Sequence, residues 1–150
     1  MTESWSTKGI YLLVVSIRGP IIITVGSLGS LKFNSGLYAY IGSAQNSLEK
    51  RILRHLRRDK RIFWHIDYLL NIKEAEILEI FHKDAPKECE CKMAKAIMEF
   101  GEPVIGFGSS DCRCGSHLIK LGDYERLKRL MKAEGFTRLN VNLVRGEKKV

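Results

Sequence analysis

Between Lys50 and Arg61 the chain carries seven basic residues, Lys50, Arg51, Arg54, Arg57, Arg58, Lys60 and Arg61, against one acid, Asp59. Such a concentration is a local field that attracts polyanions. With a net charge of +8 for the whole chain, nucleic acid is the first candidate partner and a membrane surface the second. Inside this run Arg51 and His55 are four residues apart, which puts a guanidinium and an imidazole on one side of a helix. Upstream stand two phenols, in Gly9-Ile10-Tyr11 and in Tyr40-Ile41-Gly42. Guanidinium, imidazole and phenol between them can hold a phosphate and move a proton. Each triplet alone arises often by chance. Their order, their places on strands and the R-x-x-x-H that begins nine residues after Gly42 make the set much more specific.

The elements that must position these groups follow from apolar periodicity. Residues 9–17 form an apolar, β-branched run and are expected to be a buried strand, broken by Arg18-Gly19-Pro20. Residues 21–28 read as a second strand, with Gly26 and Gly29 marking a bulge or turn, and residues 36–42 as a third, in which Tyr38 and Tyr40 share a face. Three strands with short links suggest an antiparallel meander. Residues 47–58 switch to helical period, with Ser47 or Asn46 as cap and Leu48, Ile52, Leu53 and Leu56 as the apolar stripe; Arg51, Arg54, His55 and Arg58 line another face. Helices at 62–71, 86–100 and 123–134, strands at 75–82, 117–121 and 137–144, a Gly/Ser/Cys loop at 106–116 and a frayed tail, GEKKV, complete the reading.

The length of 150 residues suits one domain, and the 45% apolar and 28% charged content suits a soluble globular chain. The organisation expected is a single domain over 1–150, its core at 9–121 and a C-terminal helix and strand at 122–150. No apolar run approaches a membrane span, and Met1 to Lys8 lacks a secretory signal, so a cytoplasmic protein with no membrane partner is expected. Four cysteines, Cys89, Cys91, Cys112 and Cys114, form two C-x-C pairs, and His117 follows Cys114. Cys91, Cys112, Cys114 and His117 could build a structural Zn²⁺ site; small buried cysteines or a disulfide are the alternatives.

Taken together, GLYAYIGSA, RILRHLRR, FWHIDYLL, ECKMA and GFGSSDCRCGSHL resemble the GIY-YIG nuclease superfamily. Within it they are similar to a little-characterised, mostly prokaryotic branch that sometimes sits beside or fused to base-excision repair enzymes. The resemblance spreads over most of residues 9–121. It implies an α+β fold, a small antiparallel sheet of three strands plus an extra hairpin flanked by helices. It also implies a metal-dependent endonuclease that uses one Mg²⁺ or Mn²⁺ ion, works in DNA repair or recombination and takes DNA ahead of RNA. A repair protein or a second copy of the chain could be a partner. Carried across by motif, Tyr11 would be the general base or proton relay, Tyr40 would position water or phosphate, Arg51 would stabilise phosphate charge and His55 would tune the tyrosine. Glu90 would hold the metal, with Glu88 as its rival. Lys50, Arg54, Arg57, Arg58 and Arg61 would grip the nucleic-acid backbone.

The chemistry is coherent. A phosphodiester repels hydroxide, so a site needs a cation, a base for water and help for the leaving oxygen. A free phenol has a pKa near ~10, and Arg51 with a metal beside it is expected to lower that of Tyr11. The 28 residues between Tyr11 and Tyr40 exceed the usual spacing. Residues 19–35 read either as a longer hairpin that leaves both tyrosines in place or as a remodelled site. Plainer readings stand beside the sharp ones. The tyrosines could be strand aromatics, the basic helix a solvated face and Glu90 a surface acid. His65 could be a buried histidine with one backbone hydrogen bond, Asp67 could pair with an arginine, and the loop around Asp111 could approach phosphate or be a tight turn. A non-catalytic nucleic-acid-binding module and a partner-binding domain with a zinc-stabilised loop are the rival functions.

Overall fold

The run Gly9–Ile17 (β1) lacks polar alternation because it is covered on both faces. In the computed structural model, which describes residues 8–58, 60–108 and 115–141, β1 is one of the two middle strands of a six-stranded sheet. It pairs antiparallel with β4 (Gly36–Ala44) on one side and β5 (Ala75–Lys83) on the other. β7 (Leu118–Leu121) adds to β4, β6 (Gly101–Pro103) adds to β7, and β8 (Thr137–Leu139) adds to β5, all antiparallel. The order is therefore β6-β7-β4-β1-β5-β8.

The α+β class is as expected, but the sheet is twice as wide as three strands and is not a meander. Residues 21–28 do not join it. β2 (Ile21–Thr24) turns through a 3-10 segment, Gly26–Leu28, and pairs with β3 (Ser30–Phe33) in a separate two-stranded sheet. Gly26 and Gly29, with φ of 45° and 78°, supply the left-handed backbone that this reversal needs. Phe33, buried against Tyr38 and Phe107, pins the hairpin to one face of the main sheet. Residues 21–33 thus form a hairpin of their own, apart from the main sheet.

Among the described residues four helices complete the layers. On the hairpin's face lie α1 (Leu48–Leu56), capped by Ser47, which accepts a hydrogen bond from the Lys50 backbone N–H, and α2 (His65–Leu70). The opposite face carries α3 (Cys89–Met98) and α4 (Tyr124–Ala133), the latter capped by Asp123. Leu127 and Met131 of α4 are fully buried there. In α1 the inward stripe is Leu48, Ile52 and His55, while Leu53 and Leu56 are only half-buried. The histidine expected on the basic face thus occupies a core position. The expected strand at 137–144 is observed as Thr137–Leu139; residues 142–150, including the GEKKV tail, lie outside the described residues, as does Asp59. Among the described residues no helix is long and apolar enough to cross a membrane.

Candidate active site

Tyr11 sits near the start of β1, directly opposite Gly42 in β4. Strand alternation places Tyr40 and position 42 on the same face, so the Tyr11 ring lies over a residue with no side chain. A Cβ at Gly42 would stand 2.5 Å from the Tyr11 hydroxyl and 2.6 Å from its ring carbon Cζ. Glycine here is a cradle for the phenol. The Tyr11 and Tyr40 rings are tilted against each other with centroids 6.5 Å apart. From α1, His55 brings Nε2 to within 2.6 Å of the Tyr11 hydroxyl, and its ring also meets Tyr40 edge-on. One turn earlier, Arg51 donates from Nη1 to the Ser43 carbonyl at 2.7 Å. These residues border a cleft of about 550 Å³, whose lining includes Tyr11, Tyr40, Gly42, Arg51, Trp64 and Glu90. The long insert is not part of it.

Of the five residues expected to be catalytic, Tyr11, Tyr40, Arg51 and Glu90 face this one cleft and His55 stands directly behind Tyr11. Glu90 reaches it from the first turn of α3, a helix of the opposite layer. Glu88, its rival, is exposed and does not border the cleft.

Arg51 acts on Tyr11 in the expected direction, and burial opposes it. Burial raises the Tyr11 phenol far above its ordinary value and outweighs Arg51, whose charge and hydrogen bond pull the other way. Tyr40 is raised as well, by burial first and by Tyr11 and Glu90 next. His55 is pushed down to about 3, chiefly by burial, against the pull of Asp67, and is neutral at ordinary pH. The reason is that a helix position which reads as cationic in sequence is closed off from water in the fold. The His55 Nδ1 atom has no hydrogen-bond partner among the described residues. A bare lone pair is tolerated better than an orphaned buried N–H. The favoured tautomer therefore carries its proton on Nε2 and donates it to the Tyr11 oxygen, which leaves the phenol's own hydrogen free to turn elsewhere.

The basic residues divide. Among the described residues, Lys50, Arg51, Arg54 and Lys87 border the cleft against one acid, Glu90. Arg54 also grips Asp67 through two 3.0 Å hydrogen bonds, and Asp67 accepts the backbone N–H groups of Phe63 and Trp64 at 2.9 Å each. Burial would raise that carboxyl, but the Arg54 and backbone donors outweigh it and hold it below its usual value. Arg58 spends its guanidinium on the carbonyls of Leu70, Ile72 and Ala75, so it acts as a strap between α1 and the start of β5. Lys60 turns back onto the His55 and Arg57 carbonyls at the end of α1. Arg57 and Arg61 are exposed outside the cleft.

His117 stands beside Glu90, with Nδ1 3.4 Å from Oε1, and beside Cys91, with Nε2 3.8 Å from Sγ. Burial lowers its pKa, against the attraction of Glu90. Two of the four residues expected to hold zinc thus meet; Cys112 and Cys114 lie outside the described residues, as does Asp111. Among the described residues no three histidine, cysteine or acidic side chains group as a metal site. His65 takes the plain role, accepting the Gly108 N–H on Nδ1 at 2.9 Å, and so ties the 105–108 turn to α2. Sequence reasoning assigned no part to Trp64 or Lys87. The indole lies under two guanidinium groups, with Arg51 Cζ 4.4 Å and Arg54 Cζ 4.5 Å from its ring centre. An aromatic pair directly after a basic run was the signal that could have found it.

A family described as "Domain of unknown function DUF123" matches residues 10–139. No curated protein and no solved structure matches the chain.

Proposed function

The chain belongs to the DUF123 family, and we propose that it is a metal-dependent endonuclease that hydrolyses phosphodiester bonds in nucleic acid in the manner of GIY-YIG nucleases. The observation that carries this reading is the convergence of Tyr11, Tyr40, Arg51 and Glu90 on one electropositive cleft, with His55 bonded to the Tyr11 hydroxyl. These groups come from β1, β4, α1 and α3, so no single amphipathic element accounts for their meeting.

A phosphodiester entering the cleft meets Lys50, Arg51, Arg54 and Lys87. Arg51 is fixed by the Ser43 carbonyl and the Trp64 ring, so its free N–H groups are pre-aimed and need no reorganisation when charge develops on the phosphate. Tyr11 holds its proton in the resting site because burial disfavours the phenolate. It becomes a base only when more positive charge arrives. The phenol proton would first leave to solvent through the cleft; in the tautomer favoured here, His55 Nε2–H and Arg51 would then both stabilise the phenolate, and the proton of an attacking water would pass to the Tyr11 oxygen. Glu90 fits a hard divalent ion such as Mg²⁺ or Mn²⁺. It is a mostly buried carboxylate on the cleft wall beside His117, and such ions take few carboxylates and complete their shell with water and phosphate oxygens. When bound, the ion supplies positive charge to the non-bridging oxygens and acidifies water. DNA is the expected substrate, in repair or recombination, with targeting from a repair protein or a second copy of the chain.

The test is nicking of DNA in the presence of Mg²⁺ or Mn²⁺. Tyr11→Phe and Arg51→Ala are each expected to lower the rate by at least about 100-fold. Normal cutting by both variants would remove the mechanism. One observation favours a second reading, a nucleic-acid-binding module that keeps the groove without cutting: burial holds both phenols protonated. DNA binding that survives a chelator, with no cleavage under any divalent ion, would mark that case.

A further inference from the structure

Phe63 is 72% exposed, yet its place is built. The backbone N–H groups of Phe63 and Trp64 both donate to the buried Asp67 carboxylate, which Arg54 clamps from the other side. The carboxylate fixes the backbone from which that ring projects. The ring meets Trp64 edge-on, with centroids 4.8 Å apart and planes at 80°. Trp64 in turn borders the cleft beneath Arg51 and Arg54. An aromatic ledge thus runs from the cleft wall out to the surface, and the cations at its inner end are those that face the cleft.

A flat apolar ring held in water next to a phosphate-binding cleft fits the π-face of a nucleobase. In a continuous duplex both faces of each base are already stacked, so only an unpaired base has a face to offer. We propose that Phe63 stacks an unpaired base beside the phosphate held in the cleft, so that the substrate class is nucleic acid with a local single-stranded or extrahelical base and not uninterrupted duplex. This rests on the reading that the cleft takes a phosphodiester.

The experiment is binding, followed by fluorescence anisotropy with chelator present so that no cutting intervenes. It compares a DNA duplex carrying one extrahelical 2-aminopurine with the same duplex fully paired. Wild type is expected to favour the extrahelical base. Phe63→Ala should lose roughly 10- to 100-fold on that DNA and no more than about twofold on the paired duplex, the size of one base–aromatic stack. Phe63→Trp should keep the preference, and the 2-aminopurine emission should be quenched by wild type and not by Phe63→Ala. Equal losses on both DNAs, no loss on either, or unquenched emission would overturn the stacking role while binding to the cleft stands. Failure of wild type to bind either DNA would overturn both claims. Because the side chain is exposed, Phe63→Ala should unfold as wild type does.

Discussion

The two faces of the central sheet are made by the same strands and are buried to the same degree, yet their chemistry differs. On one face β1 and β4 contribute Ile10, Leu12, Val14, Ala39 and Ile41, packed on Met93, Ala94, Ile97, Leu127 and Met131. That layer is mainly aliphatic, with Phe81 buried in it and Phe100, Tyr124 and Phe136 at its rim. On the other face the same strands contribute Tyr11, Tyr38 and Tyr40, joined by Phe33 and Phe107, with His55 and Asp67 buried beside them. The first face has a buried carboxylate, Glu79, which the Tyr124 hydroxyl and Arg138 satisfy at its edge. The second must satisfy hydroxyl, imidazole, carboxylate and guanidinium groups at once, and it is the one that opens into the cleft. Stability and chemistry have been divided between the sides of one sheet, and Glu90 is the crossing point. Its helix packs on the aliphatic side, while its first turn reaches the cleft.

That division can be broken deliberately. The largest effect is expected from Gly42→Ala, whose new Cβ would collide with the Tyr11 ring and push the hydroxyl off His55. Cleavage should fall by about 100-fold, the usual cost of misplacing a catalytic group by an ångström. Full activity in that variant, measured as single-turnover nicking, would show that the Tyr11 position is not used. On the aliphatic side Leu127→Ala should lower unfolding free energy by about 2–5 kcal/mol, as cavities in close-packed cores do, and leave the nicking rate of the folded fraction unchanged. Urea melts beside rate measurements would test this, and a matching loss of rate would mean that the two layers are coupled. The smallest effect sharpens the comparison through pH. The His55 pKa is pushed down to about 3 in the fold, against an unfolded value near ~6.5. Between these values the unfolded chain binds the extra proton, so stability is fully present above pH ~6.5 and is lost as pH falls toward about 3. His55→Gln should flatten that slope in urea midpoints taken across the window; an unchanged slope would place the titration in other groups.

Much of this was legible from residue types. The apolar run of β1, the Tyr38/Tyr40 alternation in β4 and the 3.6 period of α1 predicted the elements that carry Tyr11, Tyr40, Arg51 and His55. The width of the sheet was not legible. β6 is three residues, too short for any period to emerge, and although a strand was expected at 137–144, the pairing of β8 with β5 is decided by what lies beside it in space. Residues 30–33 were hidden for a related reason. The glycines at 26 and 29 were read as a bulge or turn at the end of a strand; the turn is observed, and the short strand after it, Ser30–Phe33, went unread. Within the site, identities were readable and environments were not. Nothing local in R-x-x-x-H says that the arginine lines a cleft while the histidine is sealed behind a phenol. Burial then sets the direction of both pKa shifts.

The shortness of β6 and β8 has a consequence for how copies of the chain meet. A long terminal strand is a ready template for ribbon-like growth from one molecule to the next. Among the described residues, the outermost strands of the six-stranded sheet offer almost no such template. β6 ends in Pro103, which has no amide hydrogen to donate, and β8 carries the charged Arg138, paired with Glu79 of the neighbouring strand. A concentrated solution of this protein should therefore resist zipping into fibrils, and any self-assembly will use side-chain surfaces instead of lengthening the sheet.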